Sequence, residues 1–283
     1  MELKLFRTLW GFQGEPADAV AESAGAGYDG IEGQAPADPT QRAHLCEALA
    51  THRLDYIAEI TTAGGYVPER HASPEAHLAS LKSGLELCRE LAPLRVNCIG
   101  GCDAWSEAQS LRFFQEAMEL ADRHDLEVVF ETHRSRSLFN PWITQRLAAD
   151  LPNLKLTADF SHWCVVCERL MDSELDVIVM IASQVAHIHA RVGYDQGPQV
   201  PHPAAPAYAE TLAAHQRWWE VIWRAQLAAG RDFSTMTPEF GPDGYLHRIP
   251  FSEEPVGDLW QINNWMRERE REHFTGFLQR RAG

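Results

Sequence analysis

A chain of 283 residues with 45% hydrophobic and 23% charged residues has the composition of a globular protein with a sizeable core, which excludes the disordered and fibrous classes. Forty acidic against 25 basic residues leave a formal charge of −15, which repels a phosphate backbone and an anionic membrane surface and argues against nucleic acid or membrane as a partner. Six scattered cysteines, no run near the ~18 apolar residues of a membrane span, and a charged N-terminal stretch without an apolar signal core point to a reducing, cytoplasmic location.

Short β-like runs alternate with longer helical ones from end to end. The first run, LKLFRTLWGF from Leu3, carries Trp10 at its end and is followed by the helical PADAVAESAGAG. Gly25, Gly27 and Gly30 in GAGYDG have the spacing of a dinucleotide fingerprint. They close a helix and open a strand, however, the reverse of the order that aims a helix N-terminus at a pyrophosphate, so they read as cap and turn glycines. YDGIEG from Tyr28 and LDYIAEI from Leu54 are the second and third runs, and their acids Glu32 and Glu59 are candidates to bond substrate hydroxyls or cap helices. RVNCIGG from Arg95, LEVVFETH from Leu126, LKLTADF from Leu154, VAHIHARV from Val185 and STMTPEFG from Ser234 complete a set of eight. The segments between them repeat apolar residues at three- and four-residue spacing. Eight strands each followed by a helix predict an α/β fold, a single (β/α)8 barrel, and with no linker or shift of composition residues 1–283 read as one domain.

Four features outside the strands have bland readings. Cys164 and Cys167 form a CxxC without a second pair and read as small apolar residues on one turn of a buried helix. QGPQVPHPAAP, residues 196–206, falls between the seventh strand and its helix and is expected to be a lid or wall over the barrel mouth. MRERERE from Met266 is expected to be the solvated face of the last helix, pairing its charges at i,i+4. Trp218, Trp219 and Trp223 occupy more than one face of the seventh connecting helix, which hints at a subunit interface and a homo-oligomer.

The strand ends carry the chemistry. Side chains two apart share a face, so Val129 leads to Glu131, Thr157 to Asp159, His187 to His189 and Thr237 to Glu239, each one layer nearer the C-terminal mouth, where barrel enzymes keep their active sites. Three carboxylates converging there would repel one another unless a cation sat among them. Three oxygen donors and one imidazole with no thiolate suit one divalent ion, manganese first, with magnesium, cobalt and zinc as further candidates. A lone acid at a strand end also serves as a helix cap, and TADFS has the pattern for it. His133 lies on the face of Glu131 just beyond the strand and is an even choice between substrate contact and loop histidine. His187 reads as a hydrogen-bonded core residue, and Trp10 as an apolar wall for a sugar ring.

GYDGIE, FETH, DFSH, HIHAR and PEFGP, in this order and at these intervals, resemble the xylose-isomerase-like TIM-barrel superfamily over nearly the whole chain. The resemblance implies, as in its ketose 3-epimerase branch, a metal held by Glu131, Asp159, His189 and Glu239, with His162 and an arginine after the metal-binding histidine contacting substrate. Arg191 follows His189 by two residues where that branch places its arginine six after, so the role carried over to Arg191 is a departure from the pattern. The abasic-site endonuclease branch, which holds a zinc cluster with extra histidines on early strands, fits poorly, since the third and fourth strand ends read Glu59 and GGC from Gly100.

The resulting expectation is an enzyme, a metal-dependent isomerase or epimerase of a sugar, ketose or related polyhydroxy carbonyl compound. The metal would stabilise the enediolate formed by removing the proton α to the carbonyl, with Glu131 and Glu239 as base and acid on opposite faces. Two alternatives use the same residues: a lyase or dehydratase on a keto-sugar, and, more weakly, a non-catalytic carbohydrate-binding barrel.

Overall fold

The eight runs become the strands of one closed parallel barrel in the computed structural model, which describes residues 1–242 and 244–282. The strands are β1 (Glu2–Thr8), β2 (Gly30–Gln34), β3 (Asp55–Thr61), β4 (Arg95–Ile99), β5 (Val128–Glu131), β6 (Leu156–Ala158), β7 (Val185–His189) and β8 (Phe233–Thr237). Each pairs with the next, and Leu3 opposite Ser234 closes β1 on β8. The sequence expectation of a (β/α)8 barrel is therefore met.

Nine α-helices surround the strands among the described residues: α1 (Pro16–Ala26), α2 (Pro39–His52), α3 (Pro74–Cys88), α4 (Glu107–His124), α5 (Pro141–Asp150), α6 (Phe160–Cys167), α7 (Leu175–Ile181), α8 (Ala209–Ala228) and α9 (Leu259–Ala282). The extra one arises because the connection after β6 holds both α6 and α7. Local sequence sets where they start and stop. Ser106 and Gln109 form a reciprocal capping box at the start of α4, worth about 1 kcal/mol, and Phe113, Phe114, Ala117, Leu120 and Ala121 then form its buried stripe. Gly27 ends α1 in the left-handed conformation, φ 81°, as a cap glycine should. No helix among the described residues is long and apolar enough to cross a membrane.

The three tryptophans of α8 are covered from within the chain. Trp218, Trp219 and Trp223 are each 0% exposed. Trp218 packs on Phe160 of α6, while Trp223 packs on Phe274 and Phe277 of α9. The aromatic faces therefore supply no subunit interface, because α9 packs beside α8 and buries the second face. The charged run from Met266 also departs from expectation. Glu270 is buried against Gln216 and His273, and Arg271 reaches the Gly27 carbonyl and Asp29, so only part of that run is solvated. Cys164 and Cys167 lie buried one turn apart on α6, and all six cysteines are free. Segment 196–206 is a pinned wall: Gln199 accepts from the Gly241 N–H at 2.9 Å and donates to its carbonyl at 3.2 Å.

Burial of His215 on α8 makes stability depend on pH. Its Nδ1 donates to the Thr211 carbonyl at 2.9 Å and its Nε2 accepts from the Gly193 N–H at 3.3 Å, so the ring is neutral. Burial pushes its pKa from 6.5 down to about 4. Between those values the unfolded chain binds more protons than the native one, so this contribution is complete above about pH 6.5 and is lost as pH falls toward 4. Urea unfolding between pH 7 and pH 5 should show stability falling with acid. His215→Gln should flatten the slope by up to ~1.4 kcal/mol per pH unit, and an unchanged slope would remove His215 as its source.

Candidate metal centre

Four consecutive strands deliver one side chain each to the C-terminal mouth. Glu131 ends β5, Asp159 sits between β6 and α6, His189 ends β7 and Glu239 lies two residues past β8. One donor atom from each lies within 4.8 Å of the other three, and all four residues are buried. Period-two stepping in the strands thus lands the four predicted residues on one layer.

The two oxygens of Asp159 have different tasks. Oδ1 accepts from the Ser161 N–H at 3.0 Å and from its hydroxyl, capping α6. Oδ2 receives the Arg191 guanidinium and faces His162 Nε2 at 3.6 Å. The helix-cap reading holds for one oxygen, and the other is left facing the cluster. Glu131 accepts from Asn97 Nδ2 at 2.9 Å, while His189 places Nδ1 at 3.1 Å from Glu239 and 3.5 Å from Glu131.

Arg191 is part of the carboxylate cluster. Besides Asp159 it contacts Ser161 Oγ at 3.0 Å, His162 Nε2 at 2.7 Å and Glu239 at 3.4 Å, and its guanidinium lies over the rings of Trp10 and Tyr245. Because His162 Nε2 accepts from Arg191, the ring proton is on Nδ1, and that buried nitrogen has no partner among the described residues. His133 tilts against His162, ring centroids 4.0 Å apart and planes inclined at 50°. Burial, reinforced by neighbouring positive charge, pushes the His162 pKa well below its ordinary value and keeps it neutral.

Electrostatics of the layer mark it as a place for a cation. Burial raises the carboxyls of Asp159 and Glu239, with Arg191 and His189 pulling the other way. Glu59, nearby on β3, is pushed up to about 8 by burial and then by the charge of Glu239. His189 Nδ1 is buried and makes no hydrogen bond among the described residues, although it is aimed among the carboxylates. An unpartnered imidazole nitrogen with three crowded oxygen donors fits a hard divalent ion.

Above the layer lies an aromatic rim. Trp10 packs edge-on against Tyr245 at 4.8 Å and tilts on Tyr66 at 5.5 Å. It lies so close to Gly241 that a Cβ there would stand 2.0 Å from the indole, so glycine is required at that position. A cleft of about 220 Å³ opens beside the rim, bounded by Trp10, Gln34, Glu59 and Tyr66. Arg136 anchors this side: fully buried, it donates to the carbonyls of Thr62, Tyr66 and Gly101 and so ties the loops after β3 and β4 together. Sequence reasoning missed Asn97, Tyr66, Tyr245 and Arg136. An amide inside the apolar run RVNCI was a usable signal for the first, whereas the others lie in loops where no periodicity applies. His187 is the core histidine expected, bonded to Thr235 and Glu32.

The sequence model of the family described as xylose isomerase-like TIM barrel matches residues 20–197, more than half of the chain. No curated protein matches it in sequence. Among solved structures, an L-ribulose 3-epimerase superposes with TM-score 0.66 at 15% identity, over 100% of this chain and 97% of its own. The IOLI protein with a bound zinc atom gives 0.64 at 14% identity, over 96% and 98%. The probable 3-DHS dehydratase AsbF of petrobactin synthesis from Bacillus anthracis gives 0.57 at 14% identity, over 86% and 94%. At these identities the likeness is one of fold.

Proposed function

Since the chain belongs to the xylose isomerase-like TIM-barrel family, we propose that it is a metal-dependent isomerase or epimerase of a sugar, ketose or related polyhydroxy carbonyl compound. The observation that carries this reading is the convergence of Glu131 and Glu239, from β5 and β8, on the same donor cluster as Asp159 and His189. These four residues would hold a divalent ion, manganese by the donor set, which would supply Lewis acidity to a polyhydroxy carbonyl substrate.

The chain's own residues do the rest. One glutamate removes the proton α to the carbonyl, and the other returns a proton on the opposite face. His162, whose Nδ1–H has no partner among the described residues, donates to a substrate oxygen, and His133 stands beside it. Arg191, itself buried, holds Asp159 and Glu239 in place, and the Trp10 ring beneath its guanidinium bounds the substrate. Glu59, whose carboxyl burial and the charge of Glu239 push up to about 8, lines the cleft.

A second reading, a dehydratase on a keto-sugar, uses the same proton removal with a leaving group β to the carbonyl. Support for keeping it is the superposition on a protein named as a probable dehydratase over 86% of this chain. NMR of the product separates the two, since only the dehydratase changes the molecular formula. A purely binding role could spare one of the two glutamates, and both are present.

Purified protein should carry about one divalent ion per chain, because Arg191 offsets only one of the three buried carboxylate charges and the rest call for a further cation. Elemental analysis of the purified protein and assay in excess EDTA check this. Absence of metal together with full activity in chelator would remove the metal from the proposal.

A further inference from the structure

Opposite the donor cluster, on the other side of the barrel interior, Glu32 of β2 is 2% exposed and faces three donors. Its Oε1 lies 3.0 Å from His189 Nε2 and its Oε2 lies 3.0 Å from His187 Nε2, with the Thr237 hydroxyl also on Oε2. His187 is in turn held by Thr235 Oγ1 at 2.8 Å. The nearest of these partners in sequence is 155 residues from Glu32, so only barrel closure brings the group together.

We infer that Glu32 is a positioning residue for His189, fixing by a cross-barrel hydrogen bond which of its ring nitrogens faces the carboxylate cluster. This rests on the metal assignment above and extends it to a residue outside the donor set. An ionised carboxylate only accepts, so His189 Nε2 must carry the proton on the Glu32 side. The opposite nitrogen, Nδ1, is then the one presented to Glu131, Asp159 and Glu239, where it stands buried without a hydrogen bond. A carboxylate behind an imidazole fixes its ring orientation and raises the basicity of the nitrogen in front, and removing such a partner costs 10- to 100-fold in metal affinity. Thr237 and His187 hold Glu32 in turn, so the carboxylate cannot turn away from His189 without breaking two bonds.

The test uses metal-free protein titrated calorimetrically with Mn2+ alone, together with NMR of protein labelled with 15N in its histidines. Glu32→Gln should bind Mn2+ about 10- to 100-fold more weakly, and Thr237→Val should show a smaller loss in the same direction. Metal-free wild type should show a low-field, exchange-protected Nε2–H of His189, and Glu32→Gln should lose it. A merely structural role would not move that resonance in a variant that keeps its fold. Mn2+ affinity within twofold of wild type in both variants would overturn the inference, as would a wild-type His189 without the Nε2–H, which decides the matter even where Glu32→Gln fails to fold. A second bound ion that Glu32→Gln removes would also overturn it, by making Glu32, His187 and His189 a metal site of their own. Wild-type protein that binds no Mn2+ while showing the Nε2–H would instead remove the metal assignment and leave the hydrogen bond standing.

Discussion

Glu131→Gln and Glu239→Gln should each lower net conversion of substrate by about 10²- to 10⁴-fold, the usual contribution of a positioned acid or base. The two side chains reach the donor cluster from β5 and β8, with β6 and β7 between them, which on the proposed reaction lets them serve different sides of a bound substrate. If they serve opposite faces of one carbanion-like intermediate, the variants must differ in a second measurement. The one that lacks only the proton donor still removes the α-hydrogen and returns it on the same side, so it exchanges that hydrogen with solvent deuterium while forming little product. The one that lacks the base does neither. Glutamine is also a poorer metal ligand, so metal content must be measured in each variant before the loss is attributed to proton transfer. Loss of exchange in both with metal retained would point to a hydride shift, and full activity in either would take that glutamate out of the mechanism.

Asp159→Asn should weaken Mn2+ binding by 100-fold or more while α6 remains in place. The division of labour between its oxygens makes this separable. Asparagine keeps an oxygen for the Ser161 N–H and caps a helix about as well as aspartate. It replaces the oxygen facing the donor cluster by an N–H2 group, which turns a donor toward the Arg191 guanidinium where there was an anionic acceptor. A 100-fold loss corresponds to about 2.7 kcal/mol, well beyond the few tenths that an exchange of cap residues costs. Circular dichroism and calorimetric titration on the same sample decide it. Unchanged affinity with an intact helix would leave Asp159 as a cap alone.

Much of this was legible before any coordinates, because a strand has a period of two and eight strand-helix alternations leave little choice of fold. The inward positions Glu131, Asp159, His189 and Glu239 followed from counting back two residues to Val129, Thr157, His187 and Thr237. The same counting placed His187 one layer down as a core histidine. Spacing along one strand is a local property, and the sequence carries it whole.

Relations between elements far apart in the chain are a different matter. Periodicity showed that α8 has more than one apolar face but was silent on what covers them. The answer, α9 returning over Trp223, belongs to the packing and not to the helix. Tyr66 and Tyr245 come from loops whose course no repeat describes, and they meet over Trp10 only because the loops after β3 and β8 face each other across the mouth. Arg191 is a substrate contact by analogy; in the fold it reaches Asp159 and Glu239 and stands among the acids. The sequence by itself determined the barrel, its strand ends and the four donors on one layer, since these depend on alternation within eight short runs. Only the tertiary structure decided which oxygen of Asp159 faces the cluster, which nitrogen of His189 does, and that Glu32 stands behind it, because those depend on how the closed barrel sets β2 across from β7.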